Sequence, residues 1–325
     1  MMYSLLLSRP LPTALQGRAQ NPINGSDSES YALAKIVLAC RGEGHWGSRE
    51  EDNSKIDLFF SAEHPWFKRE RLIVFTQVKS GETFGSTLSP GFKLKAKAKS
   101  AAIRTTHPVC VVWVDRDRNR LFWAYVHPMT TASDQEYGAY HEVGPPMIYD
   151  LARCAVLRRA GTTGGRGIII RRRDTNITVR RKTVKSIYRD IGTVISPAVG
   201  EIEITRLGWR HMFRNGRSGE NKASSMDLIP YLGKVLEQLP SSHAITQHYT
   251  LEVNDYVYRV CEHLLKFDQI QIQRSRSENP KKVIAFVRLV EEIRYPRNWE
   301  TNVMLSQLVD RRVVLRSAYW KNEKG

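Results

Sequence analysis

The chain has 325 residues, with 50 Lys and Arg against 33 Asp and Glu and a net charge of +17. That length allows two domains, each with its own core. That charge attracts polyanions, phosphate backbones first and anionic membrane surfaces second. No apolar run reaches the roughly 18 residues of a membrane span, and the brief patch Leu5, Leu6, Leu7, without a basic stretch before it, does not make a signal peptide.

In chain order, residues 1–26 carry Pro10, Pro12, Pro22, Asn24 and Gly25 and read as a flexible arm. Ser26, Asp27 and Ser28 offer helix caps, and Ala32, Leu33, Ile36, Val37 and Cys40 follow at helical spacing, so a helix is predicted over 28–41. Four β-rich stretches come next, at 55–61, 71–79, 109–114 and 120–126, with a helix predicted over about 92–104 and a hairpin turn at 115–119. A further helix is predicted over 145–158. These elements make an α/β domain over 27–160, a mixed central sheet flanked by helices. The Gly-rich, Arg-rich stretch 161–198 reads as a basic connector. Residues 199–325 read as α+β, with a helix over 224–239 packed on antiparallel strands at 244–253, 256–265, 283–291 and 312–319.

The four cysteines, Cys40, Cys110, Cys154 and Cys261, are scattered, with no CxxC pair and no disulfide framework, as expected of reduced core residues in a cytoplasmic protein. There is no HExxH, Walker loop or GxGxxG, so nothing points to ATP or a dinucleotide.

Two constellations carry chemistry. In the first, Asp57 lies in one predicted strand and Gln77 and Lys79 lie two apart in another, hence on one face. A carboxylate and an amide oxygen form a partial shell for a hard cation, Mg²⁺ or Mn²⁺, with Glu29 on the upstream helix as a further oxygen. Lys79 would stabilise developing negative charge. On spacing alone, the same pattern also describes a half-buried Asp at a strand start beside a polar strand edge.

The run "SKIDLFF … RLIVFTQVKSG … HPVCVVWVDRDRNRLFWAYV" resembles the PD-(D/E)xK restriction-endonuclease-like superfamily, in a QxK form found in bacterial mobile-element and anti-phage proteins. The resemblance covers residues 27–130 and rests on Glu29, Ile56–Asp57, Gln77–Ser80 and the segment from Pro108 to Tyr125. It departs at Lys55, where Gly is usual, and at Gln77, where the parent superfamily has an acid. It implies a metal-dependent DNA nuclease with Asp57, Gln77 and Glu29 at the metal and Lys79 beside it.

In the second, His211 sits among Arg206, Arg210, Arg214 and Arg217, with His248, Arg288, Ser317 and Tyr319 on later strands. A neutral His and arginines can cleave RNA without a metal. The order of helices and then antiparallel sheet is similar to the barnase/EndoU/colicin/RelE ribonucleases.

Candidate phosphate contacts are Lys93, Lys95, Lys97 and Lys99; Arg171, Arg172 and Arg173; Arg180, Arg181 and Lys182; and Arg210 and Arg214. The leading expectation is a nuclease acting on DNA, an anti-phage or mobile-element effector whose C-terminal module binds or cuts RNA. A metal-independent ribonuclease toxin and a non-catalytic nucleic-acid binder are the alternatives. A homo-oligomer or an activating protein partner is compatible with each; a membrane partner is not expected.

Overall fold

A computed structural model describes residues 20–47, 56–102, 107–127, 135–159, 167–171, 177–273 and 278–322. The first described element is helix α1 (Gln20–Cys40), which begins earlier than its caps suggest, so residues 20–26 of the expected arm are helical; residues 1–19 lie outside the described residues. Ala32, Ile36, Ala39 and Cys40 are its buried face. Arg41 turns the chain with φ of 53°, and Gly42 follows where a Cβ would lie 2.5 Å from the Ser61 carbonyl oxygen. Only glycine lets the chain pass this close to its neighbour.

Strands β1 (Glu43–Trp46), β2 (Leu58–Glu63) and β3 (Arg71–Ser80) form an antiparallel meander. The connection β4 (Gly85–Leu88), β5 (Gly91–Leu94) and helix α2 (Ala96–Ala102) then carries the chain to β6 (Val109–Asp115), which lies parallel to β3 and turns back into β7 (Arg120–Val126). The order across this five-stranded sheet is β1-β2-β3-β6-β7. Every residue of β6 is buried, as an apolar central strand covered on both faces requires. One face, with Leu58, Phe60, Leu72, Val74, Val78 and Val112, packs on α1 and on α3 (Met147–Arg159). The other, with Val109, Val111, Trp113, Phe122 and Ala124, packs on Phe92, Leu94, Ala98 and Tyr137. Tyr137 belongs to the two-residue strand β8 (Glu136–Tyr137), which completes a small sheet with β5 and β4. The helix expected over 92–104 is therefore a strand followed by a seven-residue helix. Phe92 and Leu94 alternate inward with period two and bury in the aromatic layer, which outweighs the helix preference of the lysine run.

The stretch read as a connector is built into the second sheet. It supplies β9 (Ile168–Arg171), helix α4 (Ile177–Ile191) and β10 (Thr193–Ser196). Residues 161–166 and 172–176 of it lie outside the described residues. After β11 (Gly200–Glu203) come α5 (Arg206–Met212), α6 (Gly219–Leu228), a 3-10 turn at Ile229–Tyr231 and α7 (Leu232–Leu236). The single helix expected over 224–239 is thus broken, because Pro230 lacks the N–H that an uninterrupted helix would use. A meander of β12 (Ser242–Val253), β13 (Tyr256–Gln273), β14 (Lys281–Pro296) and β15 (Asp310–Asn322) follows, with α8 (Leu305–Leu308) before the last strand. Asn254 and Asp255 both take positive φ, as a two-residue hairpin turn demands. Sheet order is β10-β11-β15-β14-β13-β12, with β9 parallel to the far end of β13. Val184, Tyr188, Met212, Leu228, Leu232 and Leu236 from the helices fill the core over Leu265, Val287, Leu289 and Leu315.

The two halves share a core. Ile293, Trp299 and Leu305 pack in the same cluster as Ala32, Phe60 and Leu151. Among the described residues, no helix is long and apolar enough to cross a membrane.

Candidate active site

Asp57 stands one residue before β2, where the ladder with β3 ends, its N–H donating to the Thr76 carbonyl at 3.0 Å. The paired register of β2 and β3 begins at Leu58↔Thr76, so Asp57 stands just beyond it. Asp57 Oδ2 accepts from the Val78 N–H at 2.7 Å and from Lys79 Nζ at 3.4 Å, while Lys79 Nζ also donates to the Val78 carbonyl at 2.9 Å. Gln77 and Lys79 are aligned with Val111 and Trp113 of β6, and so share the face covered by β4, β5 and α2. Gln77 is completely buried, and among the described residues neither its Nε2 nor its Oε1 has a hydrogen-bond partner. A buried amide left so costs about 1–3 kcal/mol, and its oxygen is a donor suited to a hard cation beside the Asp57 carboxylate. The oxygens of Asp57 and Gln77 are of the type a Mg²⁺-class ion takes, while Lys79 offsets the one carboxylate charge of the set.

Glu29 is half-buried on α1, whose buried residues pack on the opposite face of β2 and β3, the face of Leu58 and Val78. Among the described residues, no group of three or more His, Cys, Asp and Glu is placed to hold a metal ion. Asp115, at the end of β6, lies on the Lys79 side, and Thr87 Oγ1 donates to its Oδ2 at 2.6 Å. Sequence reasoning placed Asp115 only in a turn. The alternation of β6 was the signal that would have set it on that face.

The basic tract divides. Lys93 is half-buried opposite Glu136 in the β5–β8 pair, Lys95 Nζ donates to the Glu82 carbonyl at 2.5 Å, and Lys97 lies 5.6 Å from the Phe84 ring centre. Lys99 is only 2% exposed, which takes it out of the solvent-facing array expected here. Arg171 is exposed, whereas Arg172 and Arg173 lie outside the described residues. Arg180 pairs with the buried Asp227, and Arg181 and Lys182 are exposed on α4.

Of the second constellation, His211, Arg214, Arg217, Arg288, Ser317 and Tyr319 meet around a cavity of about 370 Å³. Arg206 and Arg210 line a different one, beside Tyr188 and Trp209. His248 is apart from both, with its ring centre 5.4 Å from that of Tyr140. The largest cavity described, about 720 Å³, is at the end of the β2–β3 hairpin remote from Asp57, around His64, Arg71 and Tyr149.

A buried ionic cluster escaped the sequence reading. Asp150 of α3 accepts from Arg153 at 2.7 Å and from Arg259 of β13 at 2.5 and 3.2 Å. Glu291 of β14 accepts from Arg153 at 3.0 Å and from Arg311 of β15 at 2.8 Å, and His263 lies 3.1 Å away. Glu291 can only accept, so His263 Nε2 donates to it. The neutral ring's Nδ1 then accepts from His243 Nε2 at 2.9 Å. Burial alone would raise the Glu291 carboxyl, but Arg153, Arg311 and His263 hold it well below the usual carboxylate range. Burial, then the charge of Arg153, lowers both His243 and His263. With every partner internal, the cluster fastens α3 onto the second sheet. Its signal was polar residues inside apolar strands, Arg259 and His263 in "YRVCEHLL" and Glu291 in "RLVEEI". Burial pushes the Cys40 and Cys261 thiols up to about 12, which disfavours the reactive thiolate at both.

Compared with protein-family models, with curated proteins and with solved structures, the chain matches none.

Proposed function

We propose that this chain is a metal-dependent nuclease that hydrolyses DNA at Asp57, Gln77 and Lys79, an effector of the anti-phage or mobile-element kind. The observation that carries the reading is the contact of Lys79 Nζ with the Asp57 carboxylate at 3.4 Å, beside a buried Gln77 amide that has no hydrogen-bond partner among the described residues. The order of elements is compatible with it: a helix, the strand that begins just after Asp57, the "QVKS" strand and the "VCVVWV" hairpin come in that order, with β1 before the second and β4 and β5 before the last.

Asp57 and Gln77 would hold Mg²⁺ or Mn²⁺, which supplies Lewis-acid polarisation of a phosphoryl oxygen and a more acidic water. The chain's own groups do the rest. The Val78 N–H fixes the Asp57 carboxylate, so its geometry is set before substrate arrives. Lys79, tethered to Asp57 and to the Val78 carbonyl, places a positive charge where negative charge develops on the phosphoryl group. Exposed Arg181, Lys182 and Arg210, within a net charge of +17, draw in the phosphate backbone.

The test is cleavage of plasmid DNA and total tRNA with Mg²⁺, Mn²⁺ or EDTA. Metal-dependent DNA cutting is expected in the wild type and lost by at least about a hundredfold in Lys79→Ala and Asp57→Ala, with DNA binding retained. Cutting that persists in both variants would overturn the assignment. RNA cutting that resists EDTA would move the chemistry to His211.

A further inference from the structure

We propose that the cavity beside β15 is a binding site for a phosphate monoester, separate from the nuclease site. At about 370 Å³ it has the size of a small-ligand pocket. Its cations come from two directions: Arg214 and Arg217 from the turn between α5 and α6, and Arg288, Arg316 and Lys321 from β14 and β15. No carboxylate is among the lining residues. Glu262 of β13 accepts from Arg288 at 2.7 Å and pairs with Arg316, so one carboxylate is shared between two of five cations.

The fold holds these like charges together by identifiable means. The β14–β15 register passes from Arg288↔Ser317 to Leu289↔Leu315, leaving Arg316 as the extra residue of a bulge. Leu315 and Ala318 can then both face the core, while Ser317, Tyr319 and Lys321 line the cavity. Beyond Val314, the free edge of β15 is bonded by the helices. The Ala318 N–H donates to Met212 Sδ at 3.3 Å, and Ser225 Oγ donates to the Ala318 carbonyl at 2.7 Å. That fixes the α5–α6 turn over the strand. The Arg217 guanidinium lies 5.1 Å from the centre of the Tyr319 ring, which itself stacks on Phe286 at 5.5 Å.

Concentrated positive charge in a concave site is costly without a counter-charge. Consistent with this, burial and then the neighbouring arginines hold His211 below its usual value; burial also lowers Arg217, as do Arg214 and Arg288. A monoester answers this arrangement better than a diester. It carries close to two negative charges and three terminal oxygens, which several guanidinium forks can share. Cations that converge on one compact volume take a single group rather than track a chain.

The experiment is calorimetry on the full chain in EDTA at about 0.15 M salt. The probes are inorganic phosphate, a nucleoside 5′-phosphate, and one single-stranded oligonucleotide with either a 5′-phosphate or a 5′-hydroxyl. The phosphorylated oligonucleotide is expected to bind roughly tenfold tighter than its hydroxyl twin, with inorganic phosphate competing. Arg214 is exposed, so Arg214→Glu should fold and erase the difference, and Arg217→Lys should reduce it. A nucleoside phosphate that binds as tightly as the oligonucleotide identifies a soluble ligand. A weaker one identifies a nucleic-acid end. Equal affinity of the two oligonucleotides, or indifference to Arg214→Glu, overturns the proposal. No metal is present in the assay, so either result leaves the Asp57 assignment standing on its own test.

Discussion

At the scale of single residues, Gln77 is where stability and the proposed chemistry conflict. Its amide is buried with both polar atoms unpartnered, in a strand that otherwise buries Leu72, Val74 and Val78. Gln77→Leu keeps the volume and removes the stranded amide, so it should stabilise the fold by about 1 kcal/mol while abolishing metal-dependent cutting. Urea unfolding and the plasmid assay measure the two effects. A destabilised Leu variant would mean that the amide is satisfied in solution and that Gln77 is an ordinary core residue. That Gln77 and Lys79 share a face was legible in the sequence because strand period two is a local rule, whereas the contact of Lys79 with Asp57 required β2 and β3 to be neighbours. The isolation of the Gln77 amide was not, since it depends on what β5 and α2 lay across that face.

At the scale of elements, local signals located most strands, and long-range packing set their extents. β6 and β7 fall where their apolar runs begin and end, because both are buried by their neighbours. β13 and β14 outrun their apolar stretches, as polar residues such as Lys266 and Gln271 are carried along by pairing with adjacent strands. The ionic cluster is similarly non-local. Arg153, Arg259 and Arg311 arrive from a helix and two strands, and nothing near any of them in sequence announces the others. Glu291→Gln leaves Arg153 and Arg311 without their shared carboxylate in a dry interior. It should cost about 3–5 kcal/mol in chemical denaturation. Arg71→Ala, which removes an exposed partner of Glu43, should cost less than about 1 kcal/mol. Equal losses would mean that the cluster is solvated.

At the scale of the whole molecule, buried histidines make stability depend on pH. Burial lowers His141 to about 4, and His243 and His263 are lowered as well. In the unfolded chain each takes up a proton near pH 6.5. Between that pH and about 4, the unfolded state therefore binds more protons than the folded one. The contribution is complete above pH 6.5 and is lost as the pH falls. Urea midpoints should drop steadily from pH 7 to pH 4.5, with a shallower slope in His141→Gln. A flat profile would show that these rings are charged in the folded protein.

The core that Trp299 and Leu305 share with α1 has a consequence for how the gene can be cut and rejoined. Lys35 of α1 pairs with Glu300 and lies 5.6 Å from the Trp299 ring centre, so residues near the end of the chain help close the first half. A fragment stopped at 160 would lose that cover and show apolar surface. The Asp57 site is therefore not a detachable cassette. Shuffling that parts it from the second sheet should yield an insoluble product, and the two sites would be inherited, or lost, together.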